Sequence, residues 1–362
     1  MPSISLRLVD ANLNRASEGL RVLEDLARFA INDEALSREL KAARHELARL
    51  AQPLDTQLLS WRDSAADVGR ESSLRAGVRE RDLLAVVRAN AKRAEESLRV
   101  IEELARLPEL GARINSGEIE RLRYTTYDIE KRLAGRVLRG ERAAGLRGLY
   151  VIVDREASGG RALNDVAREA IAGGASVIQL RDKVGGRGEV YRSALQLNAL
   201  CSESGVLFVM NDYADVAVAV GAAALHVGQE DLPLEVVRRL LPIDTMVGVS
   251  CHSMEDVRRA QEGGADYIAV GSVFPTLQKE SPVVVGVEFV RRARQQVPGM
   301  PLVAIGGIAL ANAAEVVAAG ADAVAVIGAV VGQPDVSRAA RELVSEIRRT
   351  EEQGEQDEHE ST

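Results

Sequence analysis

The sequence predicts an all-α domain followed by a C-terminal (β/α)8 TIM barrel. Two observations carry the prediction. Up to about residue 140 the apolar positions recur only at three- and four-residue spacing, as in Leu20, Leu23 and Ala27, then Leu36 and Leu40. From about residue 146 short apolar runs alternate with amphipathic stretches, eight times in about 200 residues, which fits a barrel at the compact end of its size range. An open doubly wound sheet is the competing architecture, but no G-x-G-x-x-G follows the first apolar run. The expected domains are 1–140 (helical), 146–349 (barrel) and an acidic, disordered tail over 350–362.

Composition narrows the function classes. The 362 residues are 46% hydrophobic and 28% charged, enough apolar material for two cores. The net charge is −8, and six of the acids fall in the last twelve residues, so the folded body is near neutral. With only 3% aromatics as well, a nucleic-acid partner is not expected. Cys201 and Cys251 are the only cysteines, too few for a disulfide framework or a cysteine metal site. No apolar run reaches the ~20 residues of a membrane span, and the N-terminus has no signal-peptide core. A cytoplasmic protein without a membrane partner is expected.

The helical half repeats itself. Residues 11–28 match 89–106 without a gap at an offset of 78, pairing Asn12 with Asn90, Arg15 with Arg93, Glu18 with Glu96, Arg21 with Arg99 and Glu24 with Glu102. One helix is duplicated, which predicts a pseudo-two-fold bundle. Asn12, Arg15 and Glu18 follow at three-residue steps and form one polar stripe. It is either a solvated ladder of ion pairs or, with Asn90, Arg93 and Glu96, a polar site at the pseudo-dyad. Between the repeats, residues 61–70 are polar and turn-rich and hold the only Trp, marking either a functional loop or a plain helix connection.

In the barrel half the strands are expected at 149–154, 176–181, 206–210, 224–226, 246–250, 267–270, 302–305 and 323–327. Helices are expected at 165–172, 188–204, 253–263 and 311–320 among others. A Gly-Ala pair precedes three strands (Gly174-Ala175, Gly264-Ala265, Gly320-Ala321) and reads as a helix C-cap feeding into the strand.

Barrel active sites lie at the C-terminal ends of the strands. Those ends carry Gln179-Leu180-Arg181-Asp182-Lys183, Asn211-Asp212, Gln229-Glu230-Asp231, Ser250-Cys251-His252, residues 271–279, Gly306-Gly307 and Ile327-Gly328. The glycines after the last two strands are either phosphate cradles of backbone N–H groups or tight turns. Asp212 and Asp231 close neighbouring strands. Each alone reads as a helix N-cap. Beside Arg181, Lys183 and Lys279 they read as a Mg2+–diphosphate site. His252 and Cys251 read as structural, and no Walker A, zinc or Ser–His–Asp pattern is present.

Taken in order, Gln179–Lys183, Asn211-Asp212, Val227-Gly228-Gln229-Glu230-Asp231-Leu232-Pro233, Gly248-Val249-Ser250, Phe274-Pro275-Thr276 with Lys279, and Ile305-Gly306-Gly307-Ile308 closely resemble thiamine-phosphate synthase over about residues 148–348. The resemblance implies coupling of 4-amino-2-methyl-5-(diphosphooxymethyl)pyrimidine to 4-methyl-5-(2-phosphoethyl)thiazole, with Mg2+ as cofactor. Gln179, Leu180, Arg181, Asp182, Lys183, Asn211, Ser250 and Lys279 would hold the pyrimidine diphosphate, with Arg181, Lys183, Ser250 and Lys279 acting in catalysis. Asp212 and Asp231 would carry the metal. Thr276, Leu277, Gln278, Gly307, Ile327 and Gly328 would take the thiazole phosphate. Gln278 stands where the family usually has Thr, and Gly328 where it has Ser. Diphosphate departure leaves a pyrimidine-stabilised cation for the thiazole nitrogen to attack, so no protein nucleophile is needed.

The helical half resembles a domain found fused upstream of such synthases and regarded as a hydroxymethylpyrimidine-phosphate kinase, through residues 10–25, 62–69 and 90–96. This implies ATP as a further ligand, with Asn12, Arg15, Glu18, Asn90, Arg93 and Glu96 as the candidate site. Two rival readings stand beside these. The barrel is alternatively like the thiazole tautomerases, and the helical half alternatively a non-catalytic module that makes a homodimer.

Overall fold

The computed structural model describes residues 2–60, 82–276 and 283–360. The chain divides into two compact units, Met1–Leu138 and Arg139–Thr362. Among the described residues no helix is long and apolar enough to cross a membrane.

The first unit is built from α1 (Pro2–Asp25), α2 (Glu34–Ala51), α3 (Asp55–Ser60), α4 (Leu83–Leu104), α5 (Pro108–Gly111) and α6 (Ser116–Ala143). Asp33 and Asp82 cap α2 and α4, their carboxylates accepting from Leu36 N–H and Ala85 N–H. The apolar stripes of these helices meet in one core that includes Leu20, Leu23, Leu40, Leu98, Ile101 and Ile129. The duplicated helices α1 and α4 pack on each other. A Cβ on Gly19 would lie 2.7 Å from the carbonyl oxygen of Asn90. Asn12 and Ser97 share a cavity wall at the other end of the contact. The pairs Gly19/Asn90 and Ser97/Asn12 exchange under the 78-residue offset, so the helices run antiparallel about a pseudo-dyad.

Two of the repeated acids are structural. Glu24 is buried and accepts from Arg44 Nε of α2 at 2.6 Å. Its counterpart Glu102 is fully buried and accepts from Arg123 Nε of α6 at 2.9 Å. Asn12 and Asn90 likewise return their amide groups to their own helices, donating to the Leu8 and Val86 carbonyls. The repeated Asn thus ties a helix turn, and the repeated Glu clamps the helix lying across it.

The second unit is a closed parallel barrel, β1 to β8 in order. Its strands are β1 (Gly148–Asp154), β2 (Val177–Arg181), β3 (Leu207–Asn211), β4 (Ala224–Val227), β5 (Met246–Cys251), β6 (Tyr267–Val270), β7 (Leu302–Ile305) and β8 (Ala323–Val326). The helices that follow them are α7 (Leu163–Ala172), α8 (Arg187–Ser204), α9 (Ala214–Val220), α10 (Leu234–Leu240), α11 (Met254–Glu262), α12 (Val287–Gln296), α13 (Ala313–Ala318) and α14 (Val336–Glu360). Period-2 alternation sorts the strand residues. Tyr150, Val177, Val209, Met246, Tyr267, Val303 and Ala325 fill the barrel interior. Leu149, Ile178, Phe208, Leu225, Ile268 and Val324 face the helices. The Gly-Ala pairs act as expected: Gly174, Gly264 and Gly320 hold positive φ, and the following Ala N–H groups return to carbonyls of the preceding helix.

The acidic end corrects an expectation. Residues 350–360 continue α14 as helix instead of forming a disordered tail. The run is rich in Glu and Gln, good helix formers that propagate an existing helix even where charge repels.

The clamp at Glu102 sets a testable cost. Removing it strips the buried Arg123 of its carboxylate and leaves it the Tyr127 hydroxyl and the Tyr124 and Tyr127 rings, so Glu102→Ala should destabilise the bundle by about 3 kcal/mol. Glu24→Ala should cost less, because Arg44 is the more exposed partner. Urea unfolding of the full chain, with the bundle and barrel transitions separated, measures both; equal, negligible costs would contradict the clamp.

Candidate active site

The strand ends gather side chains according to the pleat. On β2, Gln179 points into the barrel and its amide donates to Tyr150 OH at 2.9 Å. Leu180 points the other way, fully buried in the sheet–helix core, so its side chain is not at the rim where it was expected. Arg181 returns to the mouth, where its guanidinium pairs with the buried carboxylate of Asp154 at the end of β1. Asp182 lies at the start of the loop after β2. Its carboxylate is buried and committed to the loop after β2, accepting from Arg155 Nε at 2.5 Å and from Gly185 N–H at 2.8 Å. It shapes the loop that carries the exposed Lys183.

Asp212 and Asp231 come together. Asp212 follows β3 in the left-handed region at φ 63°, an uncommon conformation for a residue with a side chain, and its N–H donates to the His226 carbonyl at 2.9 Å. Asp231 lies in the turn after β4, its Oδ2 accepting from Gly228 N–H at 2.7 Å. Neither acid caps a helix, since the N-cap positions of α9 and α10 are Tyr213 and Pro233. Lys183 Nζ stands 3.7 Å from Asp212 Oδ2. Burial and the facing Asp231 carboxylate raise Asp212 to about 6, and Lys183 and Arg181 only partly offset them. Among the described residues no cluster of three or more His, Cys, Asp and Glu suits a metal. Two close carboxylates are nonetheless the donor set a hard divalent ion takes when water and phosphate oxygens complete its shell. The residues fit Mg2+.

Beneath the rim runs a polar chain that the sequence did not reveal. Tyr150 OH lies 3.4 Å from Tyr267 OH, which is 3.1 Å from His226 Nδ1, and His226 Nε2 is 2.9 Å from Ser250 Oγ. Burial pulls His226 down to about 4, so it is neutral and its two ring nitrogens serve one donor and one acceptor. Gln179 and Ser250, both expected at the site, are thereby the two ends of one hydrogen-bonded line. Gly248 makes the line possible, because a Cβ there would lie 1.9 Å from Tyr267 Cζ. Cys251 closes β5 and His252 follows it. Burial pushes the thiol up to about 12, and the imidazole binds the Gly271 carbonyl.

After β7 the glycines are forced by crowding. Gly306 and Gly307 have φ of 100° and 66°. A Cβ on Gly307 would sit 2.4 Å from the Pro275 carbonyl oxygen. This contact brings Thr276 alongside Gly307, and Asn312 locks the loop by donating to the Gly307 carbonyl. After β8, Val330 and Val331 N–H close a turn on the Ile327 carbonyl, with Gly328 at its first corner. Leu277, Gln278 and Lys279 lie outside the described residues, as does the 61–70 segment.

In the bundle, Asn12, Arg15, Arg93 and Glu96 line one cavity of about 440 Å³ together with Lys92 and Ser97. Asn90 is buried beside it, and Glu18 is exposed and not part of that wall.

Residues 149–330 match the thiamine monophosphate synthase family (TMP-TENI), half the chain, and residues 7–132 match the ThiD2 family. The chain belongs to the thiamine-phosphate synthase family. It is similar along its length to thiamine-phosphate synthases of Thermosynechococcus vestitus, at 38% identity over 94% of both chains, and of Rhodopirellula baltica, at 35% over 94% of this chain and 93% of that one. The solved thiamine phosphate pyrophosphorylase from Pyrococcus furiosus covers 57% of this chain and 98% of its own, at 39% identity and a TM-score of 0.53.

Within this transferase family member, Tyr150, Tyr267 and His226 are the residues sequence reasoning missed. A signal was available: all three occupy inward strand positions, and Gly248 leaves the space opposite a large ring. Gly248→Ala must expel the Tyr267 ring. Overpacking of this kind costs about 1–3 kcal/mol, so the variant should melt several degrees lower and lose coupling activity. A variant with unchanged melting and unchanged rate would refute the hydrogen-bonded line.

Proposed function

We propose that the barrel couples the pyrimidine methyl diphosphate to the thiazole phosphate, forming thiamine phosphate and releasing diphosphate. The Asp212–Asp231 pair carries this reading, set beside Arg181 and Lys183 on a rim that also bears Gly306-Gly307 and Gly328. Acids alone would repel a diphosphate, and cations alone would leave the acids without a role. Asp212 and Asp231 would hold Mg2+, which when bound supplies charge neutralisation to the leaving diphosphate.

The chain's own groups do the remainder. Arg181 is aimed by Asp154, and Lys183 is carried on a loop fixed by Asp182, so both cations meet the developing diphosphate charge preorganised. Gln179 and Ser250 face the pyrimidine and are held by the Tyr150–Tyr267–His226 line. Asn211 and Lys279 would serve the same substrate, as the family resemblance implies. Thr276, Leu277, Gln278, Gly307, Ile327 and Gly328 would take the thiazole phosphate, as the family resemblance implies. The C–O bond to diphosphate breaks, the thiazole nitrogen forms the new C–N bond, and no proton moves, which is why a neutral buried His226 suffices. A thiazole tautomerase needs no diphosphate site, and the paired acids beside two cations weigh against that reading.

We propose further that the bundle is the ATP-dependent kinase converting the pyrimidine monophosphate to the diphosphate. The match of residues 7–132 to the ThiD2 family and the cavity bearing Arg15, Lys92 and Arg93 support it.

Asp212→Ala should lower coupling of ready-made pyrimidine diphosphate by roughly 100-fold or more while leaving ATP-dependent phosphorylation of the monophosphate intact. Coupling at the wild-type rate would sink the metal–diphosphate site. The wild-type chain given pyrimidine monophosphate, thiazole phosphate, ATP and Mg2+ should make thiamine phosphate, and omission of ATP should abolish it. ATP-independent product, or none, would remove the kinase.

A further inference from the structure

The turn after β8 has its carbonyl groups committed one by one. The Ile327 carbonyl accepts from Val330 and Val331 N–H, the Gly328 carbonyl from Gln333 Nε2 at 3.2 Å, and the Val330 carbonyl from Gln333 N–H at 3.1 Å. The carbonyls of Val331 and Gln333 are both taken by one side chain from a distant part of the sequence. Arg161, in the loop between β1 and α7, donates from Nη1 to the Gln333 carbonyl at 3.0 Å and from Nη2 to the Val331 carbonyl. Its Nε donates to the Ser158 carbonyl of its own loop at 3.0 Å. Every guanidinium nitrogen thus serves a backbone oxygen, so Arg161 is not a free cation at the mouth. By contrast, the N–H groups of Gly328 and Ala329 have no partner among the described residues.

The loop that carries Arg161 is itself built on the rim. Asp154 ends β1, and one of its carboxylate oxygens pairs with Arg181. The other accepts from Ala157 N–H at 2.9 Å. The Asp154 carbonyl accepts from the fully buried Ser158, from Oγ at 2.6 Å and from N–H at 2.9 Å. The acid that aims Arg181 therefore also folds the loop that reaches the β8 turn. A trans peptide unit carries its C=O and its N–H on opposite sides. Anchoring the Val331 carbonyl on Arg161 turns the Gly332 N–H away from the guanidinium, and pinning the Gly328 carbonyl on Gln333 does the same for the Ala329 N–H. A turn holds an anion only when its N–H ends face the anion and its C=O ends are kept off it.

We infer that Arg161 is a positioning residue for the phosphate of the thiazole substrate. It touches no substrate atom; it ties carbonyls of the β8 turn to the β1 loop, so that the turn offers only donors to the phosphate. The inference rests on the reading that the Gly328 turn takes that phosphate, and it names what holds the turn in that shape. Loosening the tie weakens the grip on the thiazole phosphate. The pyrimidine diphosphate, whose cations Arg181 and Lys183 are fixed by Asp154 and Asp182, is unaffected.

The test is steady-state coupling with the full chain, each substrate varied in turn while the other is saturating. Arg161→Ala should raise KM for the thiazole phosphate by about tenfold and leave KM for the pyrimidine diphosphate at its wild-type value. Arg161→Lys keeps the positive charge but has no planar fork to span separate carbonyls, so it should behave like Arg161→Ala. Gly328→Pro removes one of the free N–H groups at a first-corner position that suits proline, and it should also raise the thiazole KM. An unchanged thiazole KM in Arg161→Ala, an equal rise for both substrates, or wild-type behaviour of Arg161→Lys would overturn the inference. If Gly328→Pro raises the thiazole KM and Arg161→Ala does not, only the role of Arg161 falls. If Gly328→Pro keeps the wild-type value, the phosphate lies elsewhere, and the reading of the turn falls together with the inference.

Discussion

Two carboxylates held side by side at the mouth of a barrel repel each other, and the arrangement of the rim answers that repulsion. Asp212 sits in a left-handed backbone conformation and Asp231 is tied down by Gly228 N–H, so neither acid relaxes away from the other. Positive charge has to be brought to them. Lys183 and Arg181 supply part, and they are themselves oriented by Asp182 and Asp154, acids placed one layer deeper. The rim is thus a layered charge network in which buried acids aim the cations toward the half-buried Asp212 and the exposed Asp231. Closing the sheet into a barrel makes this layering possible, since it delivers all eight strand ends to one mouth.

The interior line from Gln179 through Tyr150, Tyr267 and His226 to Ser250 solves a different problem. Were the site to generate a carbocation, it would have to keep nucleophilic and acid–base side chains from reacting with it. Burial keeps His226 neutral and holds both tyrosines as phenols. The line positions without offering charge, and it lets an apolar barrel core carry two polar residues to the rim with their hydrogen bonds satisfied.

Much of this was legible in the sequence because a barrel is periodic. The strand positions follow from apolar runs bounded by Gly-Ala caps, and the rim residues follow from reading only the strand ends. Leu180 and Asp182 show where that rule is too coarse. A strand end delivers alternate residues to alternate faces, so Leu180 belongs to the outer core, and a rim acid next to a loop is easily captured by backbone N–H groups. Tyr150, Tyr267 and His226 stayed hidden because hydrophobic and aromatic residues inside a barrel read as packing; only the three-dimensional meeting of strands one, four, five and six turns them into a line. In the bundle the duplication was evident, but sequence could not say that Glu24 and Glu102 are clamps while Arg15 and Arg93 face a cavity. That division depends on which helix lies across each position.

The two units present the same electrostatic difficulty in two settings. Asp212–Asp231 stands at an open rim beside cations and can recruit a hydrated divalent ion, because water and phosphate oxygens have access to complete its shell. In the bundle, Glu95 of α4 faces Glu130 of α6 from a buried position among arginines and a lysine, where a metal ion would be repelled and stripped of water. A proton is the smaller answer there, and a carboxyl holding a proton is a hydrogen-bond donor as well as an acceptor. Exposure therefore decides what answers a carboxyl pair: at the open rim a hydrated divalent ion would have access, and in the buried bundle a shared proton is the cheaper answer.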